Sequence, residues 1–261
     1  MLIQSRRHTA ADVARWAAHV EVDKVEASRH HWPDTERKAL DVMAQFAMEP
    51  CYVGVSWGKD SVVVAHLAWR LFKERGIRLP LVWICVKPID NPDCPAVRDA
   101  FLARWPLEYA EIETWCEPHA PVEHERKGIA HGYGWTAAGR LEDGFAEAAR
   151  RFGARYISGI RAAESGQRTA RMRHYGHSTE RTCAPIGWWP TSHVYAYLQR
   201  YDLPIHPAYG CLGGGMYDRD RLRVSALGRT RGQGMGRWEW EHRYYRDEMR
   251  ALERMAEERL R

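Results

Sequence analysis

Residues 51–61 read CYVGVSWGKDS, and this stretch decides the fold. Its first five residues form a short apolar run that is typical of a buried strand. A strongly apolar helical pattern over residues 61–75 follows directly. A strand that passes into a helix through glycine and lysine predicts an anion site, because the first amides of the helix have no partners within it.

Each residue type in this loop has a physical use. Gly58 permits a positive φ and close approach of the backbone to a ligand. Lys59 adds a positive charge, and Ser56 and Ser61 offer hydroxyl groups. Asp60 is a candidate helix cap, or a candidate ligand of a Mg²⁺ ion that accompanies a polyphosphate. The stretch departs from the Gly-x4-Gly-Lys-Ser/Thr loop at its first glycine and after its lysine, and a plain helix start without a ligand is the alternative.

Beyond the loop, apolar runs alternate with helical stretches. The expected strands cover 79–86, 107–114 and 154–159, and the expected helices cover 93–105 and 141–152. This alternation predicts an α/β fold, with a parallel sheet flanked by helices. Ligands bind beyond the carboxyl ends of the strands in such sheets. The loop and the polar segment 161–171 both follow strands, so we expect them at the same edge.

Three segments are expected along the chain. Residues 1–48 form an N-terminal helical cover in which Pro33 separates two helices. Residues 49–209 form the α/β domain that carries the loop. Residues 210–261 contain one more strand over 223–227, a Gly/Arg-rich loop and a C-terminal helical extension over 238–260. Residues 117–138 lack periodicity and are interpreted as a long functional loop.

The basic, Gly-rich loop of the last segment has two interpretations. Arg229, Arg231 and Arg237 precede Trp238 and Trp240. Cationic side chains beside aromatic rings are a common way to hold single-stranded nucleic acid. The alternative is a turn before an amphipathic helix whose aromatic rings pack on the core.

The bulk composition is that of an ordinary soluble globular protein, with 45% hydrophobic and 28% charged residues in 261 and a net charge of +5. Its arginines suit anionic ligands. We expect a cytoplasmic protein, since neither an export signal nor a membrane-spanning apolar stretch is visible. The cysteines form no CxxC pair, so we expect reduced thiols and no protein metal site. They are Cys51, Cys85, Cys94, Cys116, Cys183 and Cys211.

The loop over residues 56–61 resembles the Ser-Gly-Gly-Lys-Asp-Ser loop of the PP-loop ATP pyrophosphatases, and within them the phosphoadenylyl-sulfate (PAPS) reductase branch. That branch includes phage and DNA-phosphorothioation relatives. Residues 158–168 (SGIRAAESGQR) and 184–209, with Pro-Ile-x-x-Trp and Leu-Pro-x-x-Pro-x-Tyr, are similar to the same family in order and spacing. The chain departs from it at Trp57, which replaces a glycine, and in lacking the reductases' Glu-Cys-Gly-x-His ending.

The resemblance implies a fold like that of the adenine-nucleotide alpha hydrolases, with ATP or PAPS at the carboxyl edge of the sheet and Mg²⁺ beside the phosphates. Lys59, Asp60 and Arg161 are then the candidate catalytic residues, with Cys211 as a candidate thiol. A small buried hydrophobe is the other interpretation of Cys211. The implied nucleotide-binding residues are Ser56, Trp57, Gly58, Lys59, Asp60, Ser61, Arg161, Glu164, Ser165 and Arg168.

Three functions stay open. The first is an ATP pyrophosphatase or sulfurtransferase that activates an acceptor, for which nucleic acid is a candidate. The second is a sulfonucleotide (PAPS) reductase that uses Cys211 or the thiol of a partner protein. The third is a non-catalytic nucleotide-sensing module of a phage or defence complex. We expect adenine nucleotide as the ligand and a homo-oligomer or a larger complex as the assembly.

Overall fold

The computed structural model describes residues 1–119, 134–136, 140–224, 226–228 and 237–261. Most of the predicted functional loop over 117–138, and the basic loop around Arg229 and Arg231, lie outside these ranges. The strands within them are β1 (Cys51–Val55), β2 (Leu81–Lys87), β3 (Tyr109–Trp115), β4 (Glu117–His119), β5 (Gly134–Thr136), β6 (Arg155–Ile157) and β7 (Thr182–Cys183). The helices are α1 (Ala10–Ala27), α2 (Trp32–Phe46), α3 (Lys59–Arg75), α4 (Cys94–Arg104), α5 (Arg140–Phe152), α6 (Gly166–Tyr175), α7 (Thr191–Arg200), α8 (Arg237–Tyr244) and α9 (Arg246–Leu260).

Five strands form one sheet in the order β3-β2-β1-β6-β7. The central strand β1 pairs in parallel with β2, where Val53 lies opposite Leu81, and with β6, where Val53 lies opposite Ile157. Strand β6 pairs in parallel with β7. This parallel sheet, with flanking helices and helices at both termini, confirms the predicted α/β class.

Three local predictions are wrong. No strand forms over the described part of 223–227, where the Leu227 N–H instead donates to the Ile89 carbonyl at 2.7 Å. Pro33 does not separate two helices. It lies in the first turn of α2, where its missing N–H has no helical acceptor to lose. The C-terminal helix is interrupted at Tyr245, between α8 and α9.

The chain divides into two compact units. The first comprises Met1–Trp83, Asp93–Ile112 and Ala146–Val224, and the second Ile84–Pro92, Glu113–Phe145 and Ser225–Arg261. A cluster in the first unit buries Tyr52, Val82, Ile112 and Ala148. In the second unit, buried Glu241 accepts from Arg237 Nε at 2.8 Å and from the Gly228 N–H at 3.2 Å. The boundaries expected after residues 48 and 209 stay a prediction.

Buried acidic side chains of α1 hold the segment that precedes Val224. Asp12 Oδ1 accepts from the N–H groups of Leu212 and Gly214, both at 3.0 Å. Asp23 pairs bidentately with Arg219 at 2.6 and 2.7 Å. None of the helices in the described part of the chain combines the length and apolar composition that a bilayer crossing requires.

Candidate functional site

The loop after β1 turns at Trp57. This residue has a φ of +58°, whereas Gly58 has a φ of −77° and is the N-cap of α3. The left-handed conformation therefore falls on the tryptophan, and the expectation that Gly58 supplies it is wrong. A bulky residue at this φ is an outlier, so other contacts must hold it there.

The Trp57 side chain supplies those contacts. Its indole is fully buried, with ring centroids 5.9 Å from Phe101 and 5.8 Å from Tyr109. Within the described part of the chain, the buried indole Nε1 has no hydrogen-bond partner. Trp57 thus anchors the loop through apolar packing, and only its backbone is left to meet a ligand.

Hydrogen bonds inside the loop fix its shape. The Ser61 hydroxyl donates to the Gly58 carbonyl at 2.9 Å and accepts from the Ser56 N–H at 3.2 Å. The Tyr209 hydroxyl accepts from the Lys59 N–H at 3.2 Å. From the sequence, Tyr209 belonged to a segment similar to the family, but no role was predicted for it. Its hydroxyl oxygen accepts from the first amide of α3, where a helix N-terminus commonly binds an anion.

Two buried cations share one carboxylate at this helix start. Asp60 Oδ2 lies 3.0 Å from Lys59 Nζ, and Asp60 Oδ1 lies 2.6 Å from Arg161 Nε. The side chains of Lys59 and Arg161 are only 4% and 1% exposed. Asp60 makes no capping bond to the α3 backbone, so the capping prediction is wrong. One carboxylate leaves one positive charge unbalanced, which favours an anionic ligand.

The electrostatics keep Lys59 charged. Burial by itself lowers the pKa of the Lys59 ammonium, but the oxygens of Tyr209 and Asp60 outweigh burial and raise this pKa above its ordinary value. The ammonium also lies 5.1 Å above the centre of the Tyr209 ring. A charged, desolvated lysine attracts a phosphate oxygen more strongly than one in water.

Close packing brings the segment after β6 against the loop. A Cβ atom added to Gly159 would lie 2.7 Å from the Asp60 carbonyl carbon. Only glycine allows this approach, which lets Arg161 reach Asp60. A second nitrogen of Arg161 is held as well, since Nη1 donates to the Trp189 carbonyl at 3.1 Å and to Thr191 Oγ1 at 3.3 Å.

Glu164, Ser165 and Arg168 form a second group beside Arg161. Glu164 accepts from the Arg161 N–H at 2.9 Å and pairs with Arg168. Ser165 is the N-cap of α6 and accepts from the Arg168 N–H at 3.2 Å. Arg223 donates to the Glu164 carbonyl at 3.1 Å. In this arrangement Glu164 orients the Arg168 side chain and Ser165 caps α6, and a role in direct ligand contact stays a prediction.

Cys211 lies two residues after Tyr209 and is fully buried. Its thiol donates towards the Pro207 carbonyl, at 3.8 Å. Burial, together with the carboxylates of Asp12 and Asp93, raises the pKa of Cys211 well above its ordinary value. The structure therefore holds a neutral thiol here, which is a poor nucleophile.

Fold and site together define an α/β protein whose central parallel strand leads into a candidate anion site, where two buried cations lie at a helix N-terminus. Residues 50–211 match the family model of the phosphoadenosine phosphosulfate reductase domain. The chain belongs to this family, whose members are enzymes, and the resemblance seen in the loop is confirmed. No curated protein sequence matches the chain.

Solved structures with a related fold belong to several enzymes. A phosphoadenylyl-sulfate (PAPS) reductase from Candida auris, in a phosphate complex, has 12% identity and a TM-score of 0.44, covering 69% of this chain and 89% of its own. The NMN synthetase from Francisella tularensis has 13% identity and a TM-score of 0.43, covering 66% and 71%. The U34-tRNA thiolase NcsA from Methanococcus maripaludis has 14% identity and a TM-score of 0.43, covering 87% and 78%.

Proposed function

We propose that this protein is an ATP pyrophosphatase or sulfurtransferase that binds ATP at residues 56–61 and activates an acceptor. The observation that carries the proposal is the buried Lys59–Asp60–Arg161 network at the start of α3. Family membership supports an adenine nucleotide as the ligand. The unbalanced positive charge, with Arg168 nearby, suits a polyphosphate.

In the proposed step an acceptor hydroxyl oxygen attacks the α-phosphorus of ATP. The new O–P bond forms as the bond from the α-phosphorus to the bridging oxygen breaks, and pyrophosphate leaves with that electron pair. The acceptor proton passes to solvent. Lys59, Arg161 and the amides of Asp60 and Ser61 in the first turn of α3 stabilise the charge that develops on pyrophosphate, because they are already oriented before the reaction. In the sulfurtransferase form, hydrosulfide then attacks the acceptor carbon that bears the adenylated oxygen. A C–S bond forms as the C–O bond to that oxygen breaks, and AMP leaves with the electron pair.

Asp60 is a poor fit for a protein-bound Mg²⁺ ion. Its Oδ1 is taken by Arg161 and its Oδ2 by Lys59. A hard cation needs free oxygen ligands, and binding one here would place it beside two positive side chains. Charge stabilisation therefore falls to Lys59, Arg161 and the amides in this proposal.

The buried thiol of Cys211 favours ATP chemistry over sulfonucleotide reduction. A reductase needs an accessible thiolate, and burial keeps Cys211 neutral. PAPS reduction by this chain would accordingly need the thiol of a partner protein.

We further propose nucleic acid as the acceptor class. Trp188 is 47% exposed, and it directly precedes Trp189, whose carbonyl accepts from Arg161. Helix α6 adds Arg168, Arg171 and Arg173. Trp188 and α6 belong to the same compact unit. An exposed indole can stack a base while arginines of the unit contact the phosphates.

The decisive experiment is calorimetric titration with ATP and, separately, with PAPS, followed by an assay for pyrophosphate release in the presence of single-stranded RNA or DNA. We expect ATP to bind more tightly than PAPS. Lys59→Ala should weaken ATP binding roughly tenfold or more, because it removes a charge-assisted contact worth about 1.5–3 kcal/mol. Lys73→Ala, at the exposed end of the same helix, is the matched control and should bind normally.

Other outcomes separate the alternatives. Preference for PAPS would revive sulfonucleotide chemistry with a partner thiol. Tight ATP binding without pyrophosphate release for any acceptor would indicate a sensing module. Equal ATP affinity in wild type and Lys59→Ala would contradict the assignment of the site.

A further inference from the structure

Three helix ends bring two histidines and a glutamate together, away from the phosphate loop. Glu26 lies in the last turn of α1, His31 is the N-cap of α2, and His193 lies in the first turn of α7. One potential ligand atom from each residue lies within 4.8 Å of the other two. The cluster belongs wholly to the first compact unit.

The spacing of these atoms is unusual for hydrogen bonding. Glu26 Oε1 lies 3.5 Å from His193 Nε2 and 3.8 Å from His31 Nε2. Both distances exceed those of normal N–H···O bonds. Two ligand atoms on one tetrahedral zinc ion, each about 2.0–2.1 Å from the metal, lie about 3.3–3.4 Å apart. The observed spacing is thus close to that of ligands around a shared ion.

His31 supplies the second observation. Its Nε2 is buried and has no hydrogen-bond partner among the residues that the structure describes. A buried polar atom left in this state costs free energy that a ligand would recover. An imidazole nitrogen with a free lone pair is the commonest transition-metal donor in proteins.

The surroundings orient the carboxylate. Arg29 Nε lies 3.0 Å from Glu26 Oε2, which leaves Oε1 facing the two rings. This is the arrangement in which an outer partner directs a metal ligand.

We propose that Glu26, His31 and His193 form a binding site for a divalent transition-metal ion such as Zn²⁺. The two imidazole rings lie 20° from parallel with centroids 4.9 Å apart. Glu26 also lines a surface cavity of about 450 Å³ with Arg29 and Ser192. Three protein ligands leave the fourth position to water from this cavity.

The site is separate from the proposed nucleotide chemistry. None of its three ligands belongs to residues 56–61 or to the Arg161 group. The metal test below can therefore fail while ATP binding succeeds, and the reverse also holds.

The test uses the full chain without a polyhistidine tag, stripped with chelator and titrated with Co²⁺, whose visible absorption reports its ligands. We expect one equivalent to bind, with ligand-field bands of nitrogen and oxygen donors, and Zn²⁺ to displace it. His31→Ala and His193→Ala should each weaken binding by at least the roughly tenfold that changes around a metal site cost. His30→Ala, an exposed neighbour, is the control and should bind normally.

Glu26→Gln keeps the side-chain shape and serves as a second ligand variant, with circular dichroism to check that each variant folds. Absence of a one-equivalent Co²⁺ complex in the wild type would overturn the proposal. So would a thiolate-to-cobalt charge-transfer band, because it would assign the metal to cysteine. Unchanged affinity in folded His31→Ala and His193→Ala would have the same meaning.

Discussion

At the scale of single residues, Trp57 and not the neighbouring glycine has the left-handed backbone conformation in the turn after β1. Glycine normally takes the left-handed position because it has no Cβ, yet here Gly58 is extended and Trp57 has the positive φ. The indole buries a large apolar surface against Phe101 and Tyr109. That burial outweighs a backbone strain on the order of 1–3 kcal/mol.

Two substitutions separate packing from strain at this position. Trp57→Phe keeps a ring and removes the unpartnered Nε1, so we expect its free energy of unfolding to stay within about 1 kcal/mol of wild type. Trp57→Gly relieves the strain but empties the pocket, and we expect a loss of about 3 kcal/mol. Urea denaturation measures both. A Trp57→Gly protein more stable than wild type would mean that strain is the larger effect.

Gly159 is a second position at which a single added atom, a Cβ, would disturb the site. We expect Gly159→Ala to lose about 1–3 kcal/mol of stability and to weaken ATP binding, because the added Cβ would meet the Asp60 backbone and push Arg161 away. Gly166→Ala is the matched control, since a Cβ there has no atom within 4 Å. Denaturation and calorimetry report the two effects. Normal ATP affinity in Gly159→Ala would show that the approach to Asp60 is not required.

At the scale of elements, most bounds follow from local pattern. The strand over 51–55 and the helix that starts near Ser61 were predicted because periodicity and the Gly-Lys punctuation are local signals. The short β7 was not predicted, since two residues carry no period and Thr182–Cys183 is a strand only through pairing with β6. The helix break at Tyr245 was not predicted either, because no glycine or proline lies near it in the sequence.

Helix α3 packs on α7 through His66, whose Nδ1 lies 2.9 Å from the Tyr197 hydroxyl. Burial, and then Arg70 and Arg104, lower the pKa of His66 to about 3. The unfolded chain keeps the ordinary value of about 6.5. Above pH 6.5, His66 therefore does not lower the free energy of unfolding. As the pH falls from 6.5 towards 3, His66 lowers this free energy, because only the unfolded state takes up the proton.

We predict that His66 alone removes about 2 kcal/mol of stability between pH 6.5 and pH 5. His66→Asn retains a hydrogen-bonding group but cannot be protonated, so its stability should fall less steeply over this interval. Urea denaturation at several pH values gives both slopes. Parallel curves for the two proteins would show that His66 titrates equally in both states.

At the scale of the whole molecule, the topology brings residues from distant positions to one edge. Strands β1 and β6 are parallel neighbours, so the segments that follow them meet beyond their carboxyl ends. This rule predicted that the segments of Asp60 and Arg161 lie at the same edge of the sheet, but it did not predict their ion pair. The expected homo-oligomer or larger complex stays a prediction, which light scattering checks.

A ligand that binds only the folded state stabilises the whole chain. At free ATP of 100 times its dissociation constant, we expect the free energy of unfolding to rise by about 2.7 kcal/mol. Lys59→Ala at the same ATP concentration should gain only about 1.4 kcal/mol if its affinity is tenfold lower. Chemical denaturation with and without ATP measures the difference. An equal gain in both proteins would place the nucleotide away from Lys59.

The sequence by itself determined the loop at residues 56–61, the alternation of strands and helices, and the family, because these depend on residues close together along the chain. Only the tertiary structure decided that Trp57 rather than Gly58 takes the left-handed turn, that Tyr209 meets the first amide of α3, and that Cys211 is buried. It also brought Glu26, His31 and His193 together across a separation that no local spacing reveals. Packing between distant segments sets backbone strain, burial and ligand geometry, and such packing leaves no short-range pattern in the sequence.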